Sequence, residues 1–149
     1  MGRFVLFVSG TRADFGKLKP LIQGVKEAGY DYQVFATGMH MQALYGLTYL
    51  EIEKAGLKYY PYMNNCATMD AALSSTVDGL GRYVREWKPD LIVVHGDRVE
   101  ALAGAIVGAL NNILVAHIEG GELSGTIDEL IRHAVSKLSH IHFVATEEA

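Results

Sequence analysis

Two continuous apolar runs constrain the fold of this chain more than any other feature of its sequence. Residues 91–94 read LIVV and residues 113–118 read ILVAHI. Continuous runs of this length are typical of parallel strands that helices cover on both faces. Each run ends in an ionisable cluster that contains glycine, and a helical pattern follows each cluster. The pattern predicts a parallel sheet whose ligand site lies beyond the carboxyl ends of its strands.

The same alternation of strand and helix patterns continues along the whole chain. Right-handed crossovers turn such a repeat into a Rossmann-like, doubly wound α/β sheet, and 149 residues are enough for a single domain over 1–149. The residues between the first strand and first helix, 10–16, are predicted to form a loop, and Pro61 places the third strand at a sheet edge. Predicted strands cover 3–9, 30–37, 57–63, 91–94, 113–118 and 141–145, and predicted helices cover 17–28, 43–55, 69–87, 99–110 and 127–138, with another beginning near 146.

Composition limits the possible functions. The formal net charge is −4 and there is no basic run, which argues against a nucleic acid or an anionic membrane as the partner. The apolar stretch at 4–9 is too short for a signal peptide or a membrane span. A single cysteine, Cys66, excludes an intramolecular disulfide and is typical of a reducing compartment. We therefore predict a cytoplasmic protein in which Cys66 is structural.

Three carboxylates are placed to meet at the carboxyl edge of the predicted sheet. Asp97 follows the first apolar run, Glu119 follows the second, and Asp128 lies in the first turn of the last full helix. Asp97 and Asp128 also have structural interpretations, because Asp97-x-x-Glu100 has capping-box spacing and an acidic residue is favoured at a helix start. The position of Glu119 favours a functional role, because a carboxylate at the end of a central strand is costly to bury unpaired. Neighbouring carboxylates push their pKa values apart, so such a cluster can supply a base and an acid.

Five further residues are predicted to bind substrate near these carboxylates. Arg12 follows the first strand, where a cation and helix-start amides can bind an anion, although a solvated loop arginine is an equal alternative. Arg98 is expected to pair with a nearby carboxylate, and Arg132 lies one turn into the last helix. His95 ends a strand, and Glu122 is either solvated or a supporting partner. The histidines have no convincing metal-ligand geometry with a carboxylate, so we predict no tightly bound metal. We also predict no cofactor.

Four segments resemble a known family. They are similar to the N-terminal half of UDP-N-acetylglucosamine 2-epimerases, and specifically to the hydrolysing branch, which supplies precursors for sialic acid or legionaminic-type acids. The segments are GTRADFGKLKPL (10–21), GMHMQALYGLTYLEIEKAG (38–56), HGDRVEAL (95–102) and HIEGGELSGTIDELIRHAVSKLSHIHF (117–143). The resemblance implies the N-terminal half of a glycosyltransferase-B-like fold, a nucleotide-sugar substrate and a homo-oligomer. Family chains are more than twice as long, so we expect the C-terminal nucleotide-binding domain to be absent and this chain alone to be inactive.

The resemblance also implies a reaction in two stages. UDP-N-acetylglucosamine loses UDP by anti elimination across C1 and C2, and water then adds to the resulting 2-acetamidoglucal to give N-acetylmannosamine. By motif position, the family's three acidic residues correspond to Asp97, Glu119 and Asp128. Its helix arginine corresponds to Arg132, and its loop arginine, expected near the diphosphate, corresponds to Arg12. The match leaves open which carboxylate removes the C2 proton, and whether the nucleotide is UDP or GDP.

One segment departs from the non-hydrolysing branch of the family. That branch carries a Q-H-R-E-M-type segment after the second strand, used for a regulatory second substrate molecule, whereas residues 38–42 here read GMHMQ. We therefore do not expect that regulation in this chain. The alternatives are a non-hydrolysing 2-epimerase, a glycosyltransferase of the same architecture, and a non-catalytic binding or assembly module.

Overall fold

The computed structural model describes residues 3–42, 46–64, 67–118 and 127–143. Within them, six parallel strands form one sheet in the order β3-β2-β1-β4-β5-β6. This arrangement confirms the predicted Rossmann-like, doubly wound sheet. The order reverses between β1 and β4, and this reversal is where such sheets open a crevice for ligands. The strands are β1 (Phe4–Ser9), β2 (Asp31–Ala36), β3 (Tyr59–Pro61), β4 (Leu91–His95), β5 (Leu114–Ile118) and β6 (Ile141–Phe143).

Helices cover both faces of this sheet. One face packs against α1, and the other packs against α4, which also contacts α3 and α5. A short 3-10 helix, Gly38–Met41, follows β2 at the carboxyl edge. The α-helices are α1 (Arg12–Glu27), α2 (Tyr49–Lys54), α3 (Met69–Trp87), α4 (Val99–Leu110) and α5 (Ile127–Leu138). No helix in the described parts of the chain combines the length and the apolar character that a membrane crossing would require.

Each central strand contributes to two separate apolar cores. In β1, Leu6 and Val8 pack into the core beneath α3, α4 and α5, whereas Val5 and Phe7 pack into the core beneath α1 and α2. Successive side chains point to opposite faces of a strand. A strand with helices on both faces therefore needs apolar residues at every position, which explains the continuous runs in the sequence.

The first helix begins five residues earlier than predicted, so the predicted loop over 10–16 is wrong. Thr11 is the N-cap of α1, and its Oγ1 accepts a hydrogen bond of 3.0 Å from the Asp14 backbone N–H. Burial of Phe15 and Leu18 anchors this first part of the helix against the sheet. Tertiary packing and the cap outweigh the low helix propensity of Gly16.

The second helix is shorter than predicted. It spans Tyr49–Lys54, because Gly46 and Leu47 have φ angles of 76° and 49° that a right-handed helix cannot contain. Residues 43–45, Cys66 and the helix predicted near 146 lie outside the described residues. The predicted bounds of α3, α4 and α5 are confirmed, and Pro61 lies on the edge strand β3 as expected.

Candidate functional site

The loop after β4 is fixed to the end of β5 at the carboxyl edge of the sheet. The Gly96 backbone N–H donates to the Ile118 carbonyl at 3.0 Å, and His117 Nε2 donates to the Gly96 carbonyl at 2.8 Å. His117 is fully buried, and its Nδ1 lies 3.3 Å from Ser136 Oγ. The structure therefore holds Asp97, the next residue in the loop, beside the last described residue of β5.

Asp97 does not cap the following helix, so the predicted capping box is wrong. The N-cap of α4 is Arg98, which makes no side-chain capping bond. The box cannot form because Glu100, which would have reached back to the cap, turns its side chain into the protein and is 3% exposed. Asp97 is therefore not the N-cap that its spacing predicted, and it lies half-buried at the carboxyl edge of the sheet.

Glu100 is an acidic residue buried at the junction of three elements. Its Oε1 accepts hydrogen bonds of 3.4 Å from Arg98 Nε and Nη2, which confirms the predicted pairing of Arg98 with a carboxylate. Its Oε2 has no hydrogen-bond partner among the described residues. The carboxyl group lies so close to Gly10 and Gly38 that a Cβ atom at either position would collide with it. Burial raises the pKa of Glu100, the Arg98 charge opposes that rise, and the Asp14 charge adds to it.

Asp14 and His95 form a second ionisable pair at the same edge. His95 Nδ1 lies 2.8 Å from Asp14 Oδ1, and the Gly10 backbone N–H donates to Asp14 Oδ2 at 3.1 Å. The Asp14 and His95 side chains are only 9% and 12% exposed. The pair thus joins the first turn of α1 to the end of β4, across the point where the strand order reverses.

His40 is the buried residue of the 3-10 helix. Its Nε2 lies 2.7 Å from Ser9 Oγ, and its Nδ1 lies 3.0 Å from Thr48 Oγ1. Its exposed fraction is zero. Burial lowers the pKa of His40 to about 4, although the nearby Asp14 charge opposes this shift. His40 therefore ties the end of β1 to the residues before α2 as a neutral imidazole.

Arg12 is the first residue of α1 and lies next to the carboxyl end of β1. Its guanidinium is 74% exposed and stands 3.8 Å from Glu51 Oε1, so a ligand in solution can reach it. The helix N-terminus beside it favours anions. A cavity of about 340 Å³ at the same edge of the sheet is lined by residues that include Met39, Arg98 and Glu100, whereas Arg12 does not line it.

The remaining predicted site residues are only partly described. Asp128 and Arg132 lie one turn apart on α5, and Glu119 and Glu122 lie outside the described residues. Within the described ranges, no cluster of three or more histidine, cysteine or acidic side chains could hold a metal ion.

The sequence analysis did not identify Asp14 as a site residue. It also assigned Glu100 to a capping box, whereas the Glu100 side chain is buried at the edge of the sheet. The spacing Thr11-x-x-Asp14 after a strand is a helix-start signal, and it could have placed Asp14 in the first turn of α1. No local signal reveals that Glu100 is buried, because its position depends on Gly10 and Gly38, which are distant in sequence. The assembled edge combines buried carboxyl groups, an oriented imidazole and exposed cations, which suits proton transfer on an anionic substrate.

Comparison with known proteins reveals close relatives. The family model described as UDP-N-acetylglucosamine 2-epimerase matches residues 23–149. A UDP-N-acetylglucosamine 2-epimerase of Neisseria meningitidis serogroup B is 50% identical, over 97% of this chain and 40% of the relative. A UDP-N,N'-diacetylbacillosamine 2-epimerase (hydrolyzing) of Legionella pneumophila is 40% identical, over 99% of this chain and 41% of the relative. This chain thus spans about two-fifths of the length of the curated relatives it matches.

A solved structure shows the same fold. The crystal structure of a UDP-GlcNAc 2-epimerase from Neisseria meningitidis bound to UDP-GlcNAc superposes with a TM-score of 0.86 at 25% identity. The match covers 97% of this chain and 41% of that one. It confirms the predicted fold class, that of one half of a glycosyltransferase-B-like enzyme.

Proposed function

This chain belongs to the UDP-N-acetylglucosamine 2-epimerase family, and we propose that it is the N-terminal domain, residues 1–149, of a hydrolysing member. The complete enzyme would convert UDP-N-acetylglucosamine, or a related UDP or GDP sugar, to the free 2-epimeric sugar and the nucleoside diphosphate. For UDP-N-acetylglucosamine the free sugar is N-acetylmannosamine, a precursor for sialic acid biosynthesis. The chain alone would turn over little or no substrate.

The observation that carries this proposal is the environment of His40. In the segment that replaces the Q-H-R-E-M type, His40 is fully buried and both its ring nitrogens have hydrogen-bond partners within the domain. It is therefore not available to bind a second, regulatory nucleotide sugar as the corresponding segment does in the non-hydrolysing branch. The relative from Legionella pneumophila, whose name specifies hydrolysis, is 40% identical and supports the same assignment, whereas the name of the 50% identical relative from Neisseria meningitidis does not specify hydrolysis.

The first stage of the proposed reaction is an elimination. A base removes the proton on C2 while the bond between C1 and the diphosphate oxygen breaks, which leaves a C1–C2 double bond and free UDP. Asp97, Glu119 and Asp128 are the candidates for the base and for an acid that assists departure. The exposed Arg12 guanidinium and the N-terminus of α1 would stabilise the charge that develops on the diphosphate.

The second stage is a hydration. A water oxygen bonds to C1, and C2 takes up a proton on the face opposite the one that lost it, which inverts C2. A second carboxyl group supplies this proton to C2, and one proton of the attacking water restores that group while the other stays on the new C1 hydroxyl group. The carboxyl group that acted as base in the first stage releases the proton it took from C2 to solvent. One carboxyl group that begins ionised and one that begins protonated can perform the two transfers in turn.

The enzyme in which this chain is followed by a C-terminal domain provides the test. It is incubated with UDP-N-acetylglucosamine, and separately with UDP-N,N'-diacetylbacillosamine, in deuterium oxide and in heavy-oxygen water. We expect UDP and a free sugar with solvent deuterium at C2 and solvent oxygen at C1. Release of an intact UDP-sugar epimer would instead show a non-hydrolysing enzyme, and absence of both products would contradict the proposal. The chain alone is the matched control and should release neither.

The three carboxylates are tested by near-isosteric substitution in the same enzyme. Asp97→Asn, Glu119→Gln and Asp128→Asn should each lower kcat at least about 100-fold, since general acid–base groups contribute on this order. Asp78→Asn is the control, because Asp78 is exposed and pairs only with Arg82 in the described structure. Activity within a few-fold of wild type in any test variant, with an unchanged melting temperature, would remove that residue from the site.

Two further properties are proposed from the family resemblance. The complete enzyme is expected to be a cytoplasmic homo-oligomer. Light scattering of the purified enzyme should give a mass of at least two chains, and cell fractionation should recover it with cytoplasmic markers. A monomer mass or recovery with membranes would contradict this expectation.

A further inference from the structure

We propose that Asp14 is a positioning residue, which holds His95 in the tautomer with the proton on Nδ1 and so makes Nε2 the nitrogen through which the ring exchanges a proton. The tautomer assignment stands on the structure of this chain alone. Its kinetic consequence rests on the proposed function.

The Asp14 carboxylate is held by groups from two sides. Its Oδ2 accepts a 3.1 Å hydrogen bond from the Gly10 backbone N–H, at the end of β1. Its Oδ1 lies 2.8 Å from His95 Nδ1, at the end of β4. The backbone N–H of Asp14 donates to the Thr11 cap, so the first turn of α1 also fixes the residue. Both side chains are almost buried, so a rotamer change of either would break these hydrogen bonds away from solvent.

An ionised carboxylate can only accept hydrogen bonds. Nδ1 of His95 must therefore carry a proton whether the ring is neutral or cationic. The nitrogen that gains or loses a proton is then Nε2, which is a base in the neutral ring and a donor in the cation. The same relation between a buried aspartate and a histidine sets the tautomer in serine hydrolases.

The location of the pair connects it to the proposed reaction. Asp14 lies two residues after Arg12, the cation proposed for the diphosphate, and His95 lies two residues before Asp97, a proposed proton-transfer group. The pair therefore spans the reversal between β1 and β4, where sheets of this class bind ligands. An imidazole held in one tautomer at this place would exchange protons through Nε2 during the proposed reaction.

The Asp14→Asn substitution should reverse the tautomer without removing a side chain. The Gly10 N–H still requires an acceptor, so the amide oxygen of Asn must face Gly10. The amide NH₂ group then faces His95 and donates to Nδ1, which forces the proton of the neutral ring onto Nε2. The change is almost isosteric, so the fold should persist, and the melting temperature checks this.

The first experiment reads the tautomer directly in this 149-residue chain. Long-range ¹H–¹⁵N NMR correlations distinguish the two neutral imidazole forms, and the His95→Gln spectrum assigns the His95 signals. We expect the Nδ1–H form in the wild type and in the control Asp78→Asn, and the Nε2–H form in Asp14→Asn. A wild-type ring with its proton on Nε2 would overturn the proposal without any need of a variant. An unchanged tautomer in a folded Asp14→Asn variant would also overturn it.

The second experiment asks whether Asp14 acts through His95 in the complete enzyme. Asp14→Asn should lower kcat at least tenfold, with KM within about threefold of wild type. The limb of the wild-type pH–rate profile that depends on His95 is the one that disappears in His95→Gln. The same limb should be missing from the profile of Asp14→Asn. The double variant should be no slower than His95→Gln, because residues that act as a unit are not additive. If the kcat losses of the two single variants multiply in the double variant, Asp14 works independently of His95 and the assignment is refuted. If the wild type shows no epimerase activity, the proposed function fails, while the NMR result still decides the tautomer.

Discussion

Two buried side chains at the candidate site are both shifted toward their neutral forms. Burial raises the pKa of Glu100 and lowers the pKa of His40 to about 4, because a low-dielectric interior penalises whichever form is charged. The two residues have opposite consequences for stability. Glu100 favours the folded protein most at low pH, and His40 favours it most at neutral pH.

The Glu100→Gln variant should show the contribution of this carboxyl group to stability. Because the folded-state pKa of Glu100 is raised, its contribution is fully present below its ordinary pKa of 4.5 and is lost as pH rises through the folded value. Glutamine does not ionise, so the free energy of unfolding of Glu100→Gln relative to wild type should increase as pH rises from 4.5. Urea unfolding between pH 4 and 8 measures this difference. A difference that stays constant, or declines with pH, would contradict the burial argument.

Acidification should destabilise the protein through His40. Its folded-state pKa of about 4 lies below the ordinary value of 6.5, so its contribution is fully present above pH 6.5 and is lost as pH falls from 6.5 to 4. The full loss corresponds to roughly 3 kcal/mol. An NMR titration should give His40 a midpoint near 4. A midpoint close to that of a histidine in a short unfolded peptide would contradict this prediction.

At the scale of elements, the end of β1, the 3-10 helix and the start of α4 meet around one carboxyl group. Gly10 and Gly38 leave the space that Glu100 occupies, and the Met39 backbone N–H donates to the Gly10 carbonyl at 2.8 Å. Gly38 also has a φ of 62°, which side-chain-bearing residues rarely adopt. The close approach of these three elements therefore depends on two residues without side chains.

Alanine substitutions should separate this junction from an ordinary helix position. Gly38→Ala should cost at least about 1–2 kcal/mol of unfolding free energy from its backbone conformation alone, and the collision with Glu100 adds to that cost. Gly10→Ala tests the collision without the φ penalty. Gly16→Ala is the control, since nothing lies within 4 Å of an added Cβ within α1, and it should stabilise by about 0.5–1 kcal/mol. Equal effects at the three positions, measured by urea unfolding, would rule out the proposed packing.

At the scale of the whole molecule, the two helical layers share one sheet. Neighbouring residues of β1, such as Leu6 and Phe7, belong to opposite cores, so loss of this strand would disrupt both cores. Trp87 reports on the α3 side, where its ring lies 6.3 Å from that of Tyr83. The urea midpoint from Trp87 fluorescence should therefore coincide with that of the α1 amide NMR signals on the opposite face. Separate midpoints would show that the layers unfold independently.

Elements whose boundaries are set by local chemistry were predictable from the sequence. The bounds of α3, α4 and α5 agree with the prediction, because apolar periodicity and nearby turn residues specify them. The start of α1 was not predicted, since Gly10 and Gly16 suggested a loop while burial of Phe15 favoured a helix. The start of α2 was not predicted, because the backbone conformation of Gly46 and Leu47 prevents the helix from beginning earlier. A non-glycine residue with positive φ has no reliable sequence signal.

Three features of this protein were predictable from its amino-acid sequence: the parallel α/β architecture, the edge that carries the candidate site and the pairing of Arg98 with a carboxylate. Each follows from short-range patterns, such as continuous apolar runs and ionisable residues at strand ends. Three other features became evident only in the folded chain: Asp97 is not the N-cap of α4, Glu100 is buried, and Asp14 contacts His95. The physical reason is that these contacts join groups up to 81 positions apart in the chain, and their burial depends on how the strands and helices pack.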